Sequence, residues 1–337
     1  MEIRRFDARS ATDDELRQLH RITVANQAIT RPNEPAPTFD QYVGRLLHPV
    51  PGFGKPTRWV AVADDRIVAW TTMFSPEAEN PHLTIVEQLV VESSARRRGI
   101  GTQLLRTFLP ELIAEGRTTI EFWAVTAGGS GESWAHHHGF RATHAVQVQE
   151  LGTRQVDPAR WEVEPPPGYR LVSWRGRCPD DLVESFAVAR TAIKDAPLGA
   201  SEFHFAEWTV ARVRAAEAEL AEAGIENRVC VAVAHGTVVA LTMVELHPHR
   251  RDWAYQNDTA VLAEHRGHGL GRCIKAAMTR SLVAELPELR SVRTQTSTSN
   301  VHMIATNHAL GYTDVRIQIV LTHDVRALAR TLGGQRA

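Results

Sequence analysis

Two short stretches carry the residues best suited to chemistry. The first is Arg96, Arg97, Arg98, Gly99, Ile100, Gly101 and Thr102. The second is Arg266, Gly267, His268, Gly269, Leu270, Gly271 and Arg272. Each follows an apolar run and precedes a segment with helical periodicity. Glycine adopts backbone angles closed to other residues and lets a ligand approach without a Cβ in the way. The first N–H groups of a helix have no partner within it, and the helix dipole favours negative charge beside them. A strand, such a turn and a helix can therefore hold a pyrophosphate with backbone atoms alone. Other phosphate loops fit less well. A P-loop ends in Gly-Lys-Ser or Gly-Lys-Thr, and a dinucleotide loop needs a third glycine where Leu104 and Ile274 stand. The bland alternative is a glycine-softened turn beside solvated arginines, with no ligand.

The elements that must position these turns occur twice. Residues 58–73 read RWVAVADDRIVAWTTM, and residues 228–243 read RVCVAVAHGTVVALTM. Each is an apolar run, a polar turn and a second apolar run, the pattern of a β-hairpin. The hairpins lie 170 residues apart, as do the glycine turns; Gly139 of HHHGF and Gly311 of HALGY lie 172 apart. One match is expected of any α/β chain, but three in register indicate an internal repeat. The expected division is a first domain over 1–155, a proline-rich linker over 156–168, a second domain over 169–325 and a tail over 326–337. In each half, helices (12–24; 179–193) precede the hairpin. Then come a strand (84–91; 258–262), the glycine turn and a helix, a strand (119–125; 291–296), a short helix and a closing strand. Leu104, Leu105, Phe108, Leu109, Leu112 and Ile113 give the first of these helices its apolar face, and Pro110 predicts a kink or an early end there. A further helix is expected over 208–224.

Composition narrows the class. At 337 residues the chain exceeds one ordinary core, and its formal net charge of −1 offers no electrostatic footprint for nucleic acid. Cys178, Cys230 and Cys273 are far apart and show no metal spacing, which fits a reducing cytoplasm. The first residues lack a signal-peptide core, and no apolar run reaches the ~18 residues of a membrane span. Oligomeric state is not readable.

The stretches VEQLVVESSARRRGIGTQLL and TAVLAEHRGHGLGRCIKAAM, each followed by a strand and a Gly-Phe or Gly-Tyr hairpin, resemble the GNAT N-acetyltransferase superfamily. The segment TSTSNVHMIATNHALGY is similar to that superfamily's last helix, and the tandem layout is similar to mycothiol synthase-like and actinobacterial tandem acetyltransferases. The resemblance implies an α+β fold of two GNAT-like domains, each a mixed, mostly antiparallel sheet flanked by helices. It implies acetyl-CoA as acyl donor, a primary amine of a small molecule as acceptor, and no metal. Pyrophosphate would sit on the glycine turn. Pantetheine would pair with the preceding strand, at Leu89, Val90 and Val91 or at Ala260, Val261 and Leu262.

The resemblance also suggests individual roles. An asparagine that contacts the coenzyme corresponds to Asn300; the first half has Gly128 there. The tyrosine that often serves as general acid is replaced by Ala135 and by Asn307, which is the candidate at that position. A carboxylate before the glycine turn would act as general base, at Glu87 or Asp258, since an amine must lose its proton to attack a thioester. Each carboxylate also reads simply as a strand-end group facing solvent or pairing with an arginine. The run His136–His137–His138 reads as a helix end, since successive helical residues face apart. Asp195 and Trp208 are specificity candidates; Glu217, Glu219 and Glu222 read as a solvated helix face. Three functions remain open: catalysis in the second half, favoured for Asn300; one domain as a coenzyme-binding relic; and a non-catalytic acyl-CoA-binding module.

Overall fold

The computed structural model describes residues 1–48 and 52–334. In chain order the elements are β1 (Glu2–Arg5), α1 (Asp13–Thr30), α2 (Phe39–Leu47), β2 (Thr57–Ala63), β3 (Arg66–Phe74), β4 (Leu83–Val91), α3 (Ile100–Ala114), β5 (Thr119–Thr126), α4 (Ser130–His137) and β6 (Arg141–Gly152). They continue with β7 (Arg170–Arg175), α5 (Val183–Thr191), α6 (Val210–Glu222), β8 (Glu226–Ala234), β9 (Thr237–Leu246), β10 (Trp253–Val261), α7 (Leu270–Glu285), β11 (Ser291–Ser297), α8 (Val301–Leu310), β12 (Thr313–Asp324) and α9 (Val325–Gly334).

Local chemistry explains the boundaries. Thr12 and Glu15 form a capping box that starts α1, and Thr38 and Gln41 do the same for α2. Thr209 caps α6. Pro110 does not end α3, which runs on to Ala114. Leu104, Leu105, Phe108, Leu109 and Leu112 are all buried and hold the helix on the sheet.

The chain divides into two units that exchange their closing strands. Unit 1 holds residues 1–145, 199–203 and 318–337; unit 2 holds 146–198 and 204–317. The sheet of unit 1 runs β1-β2-β3-β4-β5-β12, and only β4–β5 is parallel. Unit 2 repeats this order as β7-β8-β9-β10-β11-β6, and only β10–β11 is parallel. Each unit is thus a mixed, mostly antiparallel α+β sheet. The contiguous division at 1–155 and 169–325 misses the exchange, in which residues 318–324 pair with β5 and residues 146–152 with β11. The stretch 156–168 is more than a spacer: Trp161 is fully buried and its indole N–H donates to Leu310 O at 2.9 Å. The short helical tail expected at the C-terminus is α9, whose Val325, Leu328 and Leu332 join the core of unit 1. Residues 335–337 of the expected tail lie outside the described residues.

Each sheet has two apolar faces. In unit 1, one packs on α3 and α9 and the other on α1 and α2. In unit 2, one packs on α7 and the other on α5 and α6. Side chains alternate between faces, so neighbouring residues of β9 and β10 serve different surroundings.

Candidate active site

The two glycine turns have nearly the same geometry. Gly99 precedes α3 at φ +76° and ψ +5°, and Gly269 precedes α7 at φ +76° and ψ +7°. These left-handed angles favour glycine. Arg97 and Gly267 are also left-handed, at φ +64° and +81°. Neither α3 nor α7 has a side-chain cap, unlike α1, α2 and α6, so the amides of their first turns stay available to an anion. A Cβ built on Gly99 or Gly269 meets nothing within 4 Å, so the space in front of the turns is open.

Not every basic residue of the turns projects outward. The Arg96 Nε donates to Val91 O at 3.0 Å and its Nη2 to Asn26 Oδ1 at 3.0 Å. The Arg266 Nε donates to Val261 O at 3.1 Å, and its guanidinium pairs with Asp195. Both arginines brace the turn against its own strand, which supports the cradle from behind. Thr102 Oγ1 hydrogen-bonds His138 Nε2 at 2.9 Å, and burial lowers the His138 pKa from its ordinary value. The ring of His268 lies against the carbonyls of Arg266 and His265.

The strands before the turns diverge. The pairing of β4 with β5 spans Leu83–Val86 against Thr119–Phe122, and that of β10 with β11 spans Trp253–Gln256 against Ser291–Thr294. Beyond these points Leu89, Val90 and Val91, like Ala260 and Val261, are bonded on their other edge, to β3 or β9. Leu262 continues that edge, donating to Val239 O at 2.9 Å. The edge turned towards β5 or β11 is left for an extended ligand.

A bulge lies where each pair parts, and each holds a carboxylate. In β4 the ladder shifts between Val86 and Gln88, leaving Glu87 extra; in β10 it shifts between Gln256 and Thr259, leaving Asn257 and Asp258. Glu87 pairs with Arg45 of α2, and Asp258 Oδ2 lies 3.5 Å from Arg190 Nη2 of α5. The pairs differ in setting. Arg45 is mostly exposed, whereas Arg190 is buried, stacked 3.2 Å from the centre of the Trp208 ring. Burial lowers the Arg190 pKa from its ordinary value, against the pull of Asp258.

Unit 2 also holds a carboxylate absent from the sequence reading. Glu245 of β9 sits opposite Tyr255 of β10 and faces the α5 side, between Val244 and Leu246, which face α7. Burial, then the charge of Asp258, pushes its pKa up to about 7. The equivalent ladder position in unit 1 is Phe74, opposite Ile85. The sequence signal was a glutamate near the end of the largely apolar strand TVVALTMVEL, two residues after the core residue Met243.

Asn307 is set differently from a general acid. It is fully buried, and its amide donates to Gln149 Oε1 at 2.7 Å and to Thr296 Oγ1 at 3.4 Å. A carboxamide N–H donates hydrogen bonds but is not acidic enough to transfer its proton near neutral pH, and both bonds tie Asn307 to buried neighbours. The Oδ1 of Asn300 accepts from Met303 N at 3.2 Å, which caps α8.

Comparison with known proteins agrees with this geometry. Residues 17–140 match the model of the Acetyltransferase (GNAT) family. A mycothiol acetyltransferase of Rhodococcus erythropolis is 30% identical over 148 residues, which is 43% of this chain and 45% of that protein. The match therefore spans less than half the length of that relative. A tandem GNAT protein from the clavulanic acid biosynthesis pathway is 25% identical with a TM-score of 0.77, covering 96% of this chain and 98% of that one. A GCN5-related N-acetyltransferase from Sphaerobacter thermophilus, 15% identical with a TM-score of 0.72 over 96% of this chain and 95% of its own, shares the fold. The chain thus has the fold of a tandem GNAT protein, and its residues 17–140 carry the domain of the GNAT acetyltransferase family.

Proposed function

We propose that the chain transfers an acetyl group from acetyl-CoA to a primary amine of a small molecule, and that unit 2 does the chemistry. The observation that carries this is the meeting, in unit 2, of an uncapped glycine turn, an open strand edge and a half-buried cluster of Asp258 and Glu245 beside the buried Arg190. Pyrophosphate would rest on the amides after Gly269, and pantetheine along Ala260, Val261 and Leu262. Backbone N–H groups freed by the bulge and the splay would polarise the thioester carbonyl. The carboxylates would draw in a cationic amine and take its proton. Two likenesses support a small acceptor: one relative is named for mycothiol and one for clavulanic acid biosynthesis.

In unit 1 the matching face is occupied by Phe53, Phe74, Trp123 and Phe203. That favours unit 1 as a coenzyme-binding relic that does not turn over. The test is incubation of the full chain with acetyl-CoA and a panel of amines, following free thiol and acetylated product. Thiol release that depends on one class of amine supports the reading. Coenzyme binding with no thiol release for any amine contradicts it in favour of a binding module.

A further inference from the structure

Proton removal from the acceptor requires a base that is reachable, close to the reacting edge and poised near neutral pH. Asp258, 30% exposed, lies 3.5 Å from the Arg190 guanidinium, which offsets its charge. Glu245 is placed otherwise. It lies one strand further from the splay, at the last rungs of the β9–β10 ladder before the bulge, and its side chain keeps 12% exposure. The groups that face it are Asp258, Asn257 and Tyr255 from β10, Arg190 from α5, Asn227 from β8 and His247 just past the end of β9, whose Nε2 lies 3.9 Å away. Glu217 of α6 adds its charge through Arg190. Beside this cluster, β11 presents Gln295, which is exposed, where unit 1 has Trp123 under Phe203. On this face unit 2 carries an exposed polar side chain where unit 1 carries packed aromatic rings, and Glu245 keeps a partly exposed edge.

Resting on the function proposed above, we propose that Glu245 is the general base of unit 2, with Arg190 and Asp258 as the pair that positions it and sets its charge. Glu245 takes one proton from the substrate ammonium. The freed nitrogen lone pair forms the C–N bond at the thioester carbonyl as the C–S bond breaks. The second amine proton leaves with the coenzyme as thiol, and Glu245 gives its proton back to solvent. The carboxyl must be ionised to begin, so the rate rises as pH passes through its pKa. Asp258 holds that pKa up through like charge, so Asp258→Asn moves the rise to lower pH.

The experiment measures kcat and KM against pH for the full chain, Glu245→Gln and Asp258→Asn, with acetyl-CoA affinity measured separately by calorimetry. Glu245→Gln is expected to lower kcat by about 100-fold, to abolish the rise near pH 7, and to leave coenzyme affinity within about twofold. Asp258→Asn is expected to keep a rise but shift it downward. An active chain whose Glu245→Gln variant keeps both rate and rise overturns the assignment of the base alone. An unaltered chain that releases no thiol with any amine overturns the function on which the assignment rests, and the two failures are told apart by that control.

Discussion

Units 1 and 2 share a strand order, a bulge carboxylate and a glycine turn, and differ in what lies on the sheet face beside the splay. In unit 1 that face is sealed. Phe203 packs on Phe53 and Trp123, and the fully buried Glu121 accepts hydrogen bonds from Ser201 Oγ, Glu202 N, Thr322 Oγ1 and Trp123 Nε1 at 2.8–3.0 Å. In unit 2 the same rungs carry Glu245 for Phe74, Tyr255 for Ile85 and Gln295 for Trp123. The coenzyme side differs too. A Cβ on Gly101 would lie 3.3 Å from the Trp134 ring and 3.4 Å from Leu89, whereas one on Gly271 meets only Val261 at 3.9 Å. A backbone cradle survives repeated use of one fold because it needs only glycines and a helix end. Chemistry depends on a few polar side chains on one face, which aromatic residues replace without disturbing the sheet.

The sharpest break between the units comes from their bulge carboxylates. Asp258→Asn is expected to lower the kcat plateau by about 30- to 100-fold, with acetyl-CoA affinity little changed. Glu87→Gln is expected to stay within about twofold of the unaltered chain. Steady-state thiol release on both variants reads this directly, and the reverse pattern would move the chemistry to unit 1.

A second contrast lies under the turns. Lys275 of α7 is fully buried, with its Nζ 5.2 Å from the centre of the Tyr312 ring, and burial pushes its pKa down to about 7; α3 has Leu105 at the equivalent position. The unfolded lysine binds its proton up to about pH 10.4, so the unfolded state holds more protons between about pH 7 and that value. Stability therefore rises with pH across this window, and the penalty is complete below about pH 7. Lys275→Leu is expected to stabilise the chain by roughly 2–4 kcal/mol at pH 6, with the gain fading towards pH 10. Denaturant melts at the two pH values check it; an equal gain at both would assign the effect to packing alone.

The smallest effect concerns the sealed face. Ser201→Ala removes one donor from the buried Glu121 and is expected to cost about 1 kcal/mol, lowering the melting temperature while turnover stays unchanged. A rise in thiol release on loosening this segment would mean that unit 1 is a catalyst held shut.

Much of this was legible in the sequence, for definite reasons. Glycines at the two turns, alternation in the hairpins and the constant offset gave the repeated sheet, because each is a local signal. Glu87 and Asp258 were found because the family resemblance points to a carboxylate on the strand before each turn. Glu245 was missed because its role comes from cross-strand register: a bulge in β10 decides which residues stand beside it, and no spacing along the chain reveals that. The strand exchange was hidden for a similar reason: β6 pairs with β11 and β12 with β5, and neither pairing can be read from spacing along the chain. Arg96 and Arg266 were expected at the ligand, but their long side chains fold back on Val91 and Val261.

The central claim is that the cradle of unit 2 feeds catalysis. The most direct measurement compares Gly269→Val with Gly99→Val, after each is shown to be folded, by turnover and by acetyl-CoA binding stoichiometry. Both positions have φ +76° and open space before them, so valine imposes the same backbone strain in each and distorts the amides alike. Gly269→Val should lose turnover by at least about 100-fold, while Gly99→Val should lose only a binding site and keep its rate. Loss of turnover in Gly99→Val beside a fully active Gly269→Val would contradict the account.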